Sequence, residues 1–263
     1  MPGFSHILPI NSDGHLTVHS MPVTDGVTSI PKMGRNASVN ALSAPPEDII
    51  AQGGLYYWPA DVILAENIVI VSDSIEDRAA GTGAKTLLNQ SLDGDYARQQ
   101  ESVVLNGTIP VNPTQSALRL CCSYVTLSGS AGGNVGNISI VDTGTNGTLA
   151  YIPAGASQAL QGVLAIPKTG LSGEVYTSGY VVGILSNLIE KTNKTAEVVF
   201  YSREENSNTW MTRLEFGLAS NSPFLLQFRI SIPISTGADI RMTVVDAEAD
   251  NLKITGGFTV ILE

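Results

Sequence analysis

Residues 67–108 read NIVIVSDSIEDRAAGTGAKTLLNQSLDGDYARQQESVVLNGT, and the punctuation of this stretch sets the fold class. Three short apolar runs, at 68–71, 86–88 and 102–105, are separated by Gly, Asp and Asn turns. None is long enough for an independent helix, and Val, Ile and Thr recur where a pleated, half-buried surface wants them. The stretch reads as two or three antiparallel strands, bent at Gly81–Gly83 and turned at Asp93-Gly94-Asp95.

The same rhythm continues toward the C terminus. A strand is expected over 61–71 and another over 116–127, where SALRLCCSYVTL puts Leu118, Leu120, Cys122 and Tyr124 on one face. Strands at 137–142 and 148–152 flank Asn146-Gly147, a strong hairpin signal, and 158–166 reads as a further strand. The second half repeats the style at 173–186, 196–202, 210–218, 224–233, 238–246 and 257–262. In FLLQFRISIP (224–233) the alternation places Leu226, Phe228, Ile230 and Ile232 together. One helical turn is expected, at 186–194. Turn signals every eight to twelve residues, roughly the spacing of sandwiches, give an all-β fold: an antiparallel β-sandwich of jelly-roll type with two packed sheets.

Residues 1–54 differ from the rest. Prolines 2, 9, 22, 31, 45 and 46 interleave with glycines 3, 14, 26, 34, 53 and 54, which forbids long helices and central strands. Yet Phe4, Ile7, Leu8, Ile10, Leu16 and Val18 are too many apolar residues for a solvated tail. The segment is expected to be a docking arm lying on its own sandwich or on a neighbouring subunit, with the sandwich itself over 55–263. Tyr56-Tyr57-Trp58 marks the boundary and reads as a plug at a core or subunit seam.

The net charge of −10 argues against nucleic-acid backbones and anionic membranes, which need Lys/Arg clusters. Only 14% of residues are charged, well under the usual quarter, so much surface is buried or meant to be covered. The opening MPGFSHILPINSDG has no basic region before an apolar core, and no run approaches the ~20 apolar residues of a membrane span. A soluble chain made in a cytoplasm is the expectation.

Candidate chemistry is sparse. GTGAKT at 81–86 has Ala where a phosphate loop needs Gly before Lys, and no helix is expected after it. His6, His15 and His19 are the three histidines, so from residue 20 onward no imidazole is present for Ser-His-Asp or Cys-His catalysis. Asp93, Asp95 and Glu101 suit a self-capped turn better than calcium or a glycosidase pair. Adjacent Cys121 and Cys122 read as small half-buried residues, with an intermolecular disulfide as the alternative. No catalytic residue, metal or cofactor is expected.

GTGAKTLLNQSLDGDYARQQESVVLNGT (81–108), SGSAGGNVGNISI (128–140) and YIPAGASQAL (151–160) together resemble a module of virion structural proteins from tailed bacteriophages, mostly aquatic. That pattern runs GTGA, an LD turn then Tyr, Glu-Ser/Thr-Val, LNGT, a Gly/Asn-rich hairpin and IPAG. Here these fall at 81–84, Leu92-Asp93 with Tyr96, 101–103, 105–108, 132–138 and 152–155. The resemblance covers 67–160, carries no catalytic residue, and implies a virion location. The expected role is a capsid decoration or cement protein that docks through its arm and self-associates, a trimer being the first guess. Its other expected partners are the major capsid protein or further virion proteins. A neck, tail or fibre component whose sandwich binds glycans or a receptor is the alternative.

Overall fold

The computed structural model describes residues 28–40, 46–190 and 193–263. Phe4, Ile7, Leu8, Ile10, Leu16 and Val18 of the expected arm, and all three histidines, lie outside the described residues. In chain order the strands are β1 (Thr28–Val39), β2 (Glu47–Asp48), β3 (Ile68–Ser72), β4 (Ala84–Leu92), β5 (Arg98–Val104), β6 (Arg119–Ser128), β7 (Ile138–Asp142) and β8 (Gly147–Ile152). They continue with β9 (Val163–Ala165), β10 (Gly179–Leu188), β11 (Thr195–Arg203), β12 (Met211–Ala219), β13 (Phe224–Ile234), β14 (Asp239–Ala247) and β15 (Leu252–Leu262). The chain is all-β and its ladders are antiparallel.

Two sheets, β1-β15-β10-β13 and β12-β11-β14-β2, form a sandwich. Counting those eight strands alone, the orders are first–eighth–third–sixth and fifth–fourth–seventh–second, the double Greek-key order of a jelly roll. Alternating residues of both sheets fill its core, among them Val181, Ile184, Val198, Phe200, Ile240, Met242, Phe258 and Val260. Phe216 of β12 stacks on Phe224 of β13 at 4.0 Å and closes one side.

Between β2 and β10 the chain makes a second, smaller sandwich, so the single sandwich expected over 55–263 is two. Sheets β3-β7-β8 and β5-β4-β6 pack through Ile68, Ile70, Leu87, Val103, Leu120, Ile138, Ile140, Leu149 and Ile152. This lobe leaves and rejoins the jelly roll side by side. Ile50 pairs with Gln161, the Gly162 amide donates to Ile49 O at 2.8 Å, and β2 and β9 lie end to end along one edge of β14. The crossing is tight enough to demand glycine at 34, where a Cβ would sit 2.0 Å from Ile49 O and 2.2 Å from Gly162 N.

The described part of the expected arm does not lie on the sandwich but is built into it: β1 and β2 are two of its eight strands, so the sandwich does not begin at residue 55. Pro31 is tolerated because β1 is an edge strand, paired on one side only with β15. Other expectations shift. The strand expected from residue 61 begins at Ile68, after a 3-10 turn at Ala65–Asn67. No helical turn forms at 186–190, where β10 runs on to Leu188.

Candidate functional site

The three pieces of sequence that carry the virion-protein resemblance meet at one end of the inserted lobe. The first two meet at Asp77, which is fully buried. Its Oδ1 accepts from the Ala84 and Val135 amides, and its Oδ2 from the Gly136 amide, each at 2.8 Å, and from Ser72 Oγ at 2.6 Å. A Cβ on Gly83 would lie 2.1 Å from that carboxylate, so glycine there is a requirement of close approach. Asn134 ties the glycine-rich hairpin to IPAG, donating to Pro153 O at 2.8 Å and accepting from the Ser157 amide at 2.9 Å. The motif is thus internal scaffolding for loops. Asp77 was invisible to sequence reading because its partners lie up to 59 positions away.

The residues expected to plug a seam divide three ways. Tyr56 packs with Ile50 and Val163 at the stem and lies edge-on to Trp58 at 4.8 Å. Tyr57 donates to Asp142 Oδ2 at 3.0 Å and lies across Gly147, where a Cβ would come within 2.2 Å of its ring. Trp58 turns to the jelly roll and meets Trp210, ring centroids 5.4 Å apart.

Around those two indoles the lobes are clamped by charge. Arg119 of the insertion makes a bidentate pair with Asp239 of β14, both bonds 3.0 Å, and Arg203 adds a third at 2.5 Å. Arg119 also donates to Pro59 O at 2.6 Å. The Arg203 guanidinium lies 4.6 Å from the Trp210 centroid and 5.5 Å from that of Trp58. Arg241 lies 4.2 Å from Trp210 and reaches toward Asp48 at 3.9 Å. Burial raises the Asp48 carboxyl above its ordinary value, with Arg241 pulling it back, and burial lowers Arg241. Asp48 is satisfied by Thr243 Oγ1 at 2.6 Å and the Tyr56 amide at 2.8 Å. A polar cleft of about 470 Å³ opens beside the clamp, lined by Trp58, Asp61, Tyr96, Glu204, Asn206 and Asn208 among others. Because Arg119, Arg203 and Asp239 are committed to each other, this arrangement holds two lobes together.

The acidic turn of the insertion is self-capped. Asp93 Oδ1 accepts from the Asp95 and Ala97 amides at 2.9 Å, and Glu101 is spent on Thr114 and Gln115. The left-handed residue there is Tyr96, held by its buried ring. Among the described residues no group of three His, Cys, Asp or Glu side chains is placed to hold a metal ion. Cys121 packs against the jelly-roll core and Cys122 Sγ lies 3.3 Å from Gln90 Oε1. Burial pushes the Cys121 thiol up to about 11.

The other notable surface is the outer face of sheet β1-β15-β10-β13. None of its four strands contains Asp or Glu, in a chain with 24 of them. Met33, Gly257, Leu185 and Leu225 form one row across all four strands; Ser29, Ile261, Tyr180 and Pro233 form another. Between Val181 and Gly183 the ladder is irregular: residues 228–231 of β13 stand opposite Val182 alone. This bulge ejects Ile230, expected to share a face with Leu226, Phe228 and Ile232, and leaves it 89% exposed. A bulge that deforms an edge strand is not visible in an alternating pattern.

No family model matches the chain, and no curated protein does. Among solved structures it is similar to the N-terminal CBM22-1-CBM22-2 tandem domain from Paenibacillus barcinonensis Xyn10C, at 10% identity. That match covers 92% of this chain and 94% of the other with a TM-score of 0.24, a value at which the likeness carries no argument.

Proposed function

We propose that this chain is a non-enzymatic structural protein of a bacteriophage virion, a capsid decoration or cement protein that docks through its N-terminal segment and self-associates. The observation that carries the reading is the carboxylate-free outer face of one jelly-roll sheet in a chain of net charge −10. Antiparallel sheets with a solvated face alternate apolar-in and polar-out, whereas this one turns Met33, Leu185, Leu225 and Ile261 outward among its polar residues, with Ile230 exposed beside them. The imidazole-free sandwiches, the self-capped acidic turn and the resemblance of 67–160 support the same conclusion. Imaging the intact particle by electron microscopy tests it: a two-lobed subunit on the shell is expected, and absence of the chain from purified particles defeats the reading. Because β1 and β2 fall within 28–54, a deletion that tests the arm stops at residue 27. Incorporation is expected to be lost with both sandwiches still folded; normal incorporation would remove the arm from the account.

The cleft beside Trp58 favours a second reading, a tail or fibre component that recognises glycans, since indole and amide groups at a wet cleft suit hydroxyl-rich ligands. Saturable binding on a glycan array, abolished by Asn206→Ala with Asn208→Ala, is its expected signature. A blank array disposes of it.

A further inference from the structure

We infer that the outer face of sheet β1-β15-β10-β13 is an isologous interface, buried against the same face of a second copy. The inference rests on the assembly reading above and names the partner of that face.

Three observations carry it. The first is composition. The outward positions include Pro31, Met33, Ile261, Tyr180, Leu185, Leu225 and Pro233, with Ser29, Asn187, Gln227, Thr255 and Thr259 the neutral polar ones and Arg35, Arg229 and Lys253 the charged ones. Met33 lies over Gly257, where a Cβ would meet its Sδ at 2.5 Å, so the surface is smooth and apolar at that point. Leu225 is 58% exposed, and no described residue covers it or Ile230.

The second is extent. Four strands about 4.8 Å apart and some nine residues long span about 19 by 30 Å. That is roughly 600 Å² per copy and about 1,200 Å² for a pair, the lower bound of a specific protein interface. Face-to-face sheet packing, with rows of side chains interdigitating at about 10 Å, is an established way to bury such a surface.

The third is where the acids are. Glu197, Glu215 and Asp246 sit on the outer face of the opposite sheet, where Glu215 and Asp246 raise the Glu197 carboxyl above its ordinary value. Two copies meeting through the carboxylate-free sheet keep those acidic faces pointing apart, so a chain of charge −10 can pair with itself there without opposing acids, Arg35, Arg229 and Lys253 being the charges that the pairing has to accommodate. Self-complementarity of one patch makes the stoichiometry even, two copies where the sequence suggested three.

Sedimentation and light scattering of the full chain test the pairing, with Leu225→Asp and Ile230→Asp as variants and Glu215→Lys as the control on the opposite face. The expected mass of the native chain is twice 27.6 kDa. Each aspartate should weaken association at least about tenfold, with the circular dichroism spectrum unchanged, and Glu215→Lys should leave the mass alone. A native chain that stays monomeric at about 100 µM, a trimeric mass, or aspartate variants that keep the native mass would each overturn the pairing. A monomer whose aspartate variants fail to enter particles would also overturn it, assigning the face to a shell protein with the virion reading intact. A clean dimer absent from particles would do the reverse, sinking the virion reading and leaving the interface.

Discussion

The two outer faces of the jelly roll share a core and an alternating backbone, yet their outward side chains differ completely. The β12-β11-β14-β2 face presents Glu197, Glu215, Arg213, Arg203, Arg241, Asp239 and Asp246. Part of it is covered by the inserted lobe through the Arg119–Asp239–Arg203 clamp and the Trp58–Trp210 contact, and the rest is a hydrated acidic surface. The β1-β15-β10-β13 face has no carboxylate and no partner within the described chain. Where the inserted lobe lies on the sheet, charge is buried and paired; the opposite face carries cations alone, with Leu225 and Ile230 exposed beside them.

The sharpest way to break the covered side is at its stem. Gly34→Val would drive a side chain into the Ile49 and Gly162 backbone, and we expect a loss of about 5 kcal/mol or more, read as failure to give a cooperative urea transition. Arg119→Met comes next. It strips the buried Asp239 of its bidentate partner, and urea unfolding should register a loss of about 3–5 kcal/mol. On the bare face the same measurement should barely move: Ile230→Asp is expected to stay within about 0.5 kcal/mol for the monomer, because no described residue packs on that side chain. A large effect there would show that the face is covered from within.

The smallest effect concerns the acidic patch. Glu197 has a raised folded value, chiefly from Glu215, so its protonated form favours the folded state. Its contribution is fully present below the ordinary glutamate value of 4.5 and is lost as pH rises through the raised one. Glu215→Gln should flatten that segment of the stability–pH curve, a shift in urea midpoint measured between pH 4 and 7.

Much of this was legible in the residues. Alternation and Gly/Asp/Asn punctuation located most strands to within a few positions, and Asn146 does take the left-handed conformation that the Asn-Gly hairpin requires. The self-capped turn at Asp93 was legible too, because its bonds are local. The division into two sandwiches was not, since strands of both lobes alternate alike and the stem is made by pairing Ile50 with Gln161, more than a hundred residues apart. Trp210, at the start of the strand expected over 210–218, is half-buried beneath Arg203 and Arg241, a partnership no spacing rule encodes. The bare face needed the register as well as the alternation, for only the ladder aligns Met33, Leu185 and Leu225.

The side-by-side stem has a consequence for how such a chain is built. A host sandwich needs to open at a single rung, between Ile50 and Gln161, to accept the whole lobe, and closing that rung with a short turn would restore an uninterrupted edge. Residues 67–160 fall wholly inside the loop so defined. In connectivity the lobe is therefore a cassette, joined at one cut, but an exchange would also have to replace what Arg119 and Trp58 give to Asp239 and Trp210.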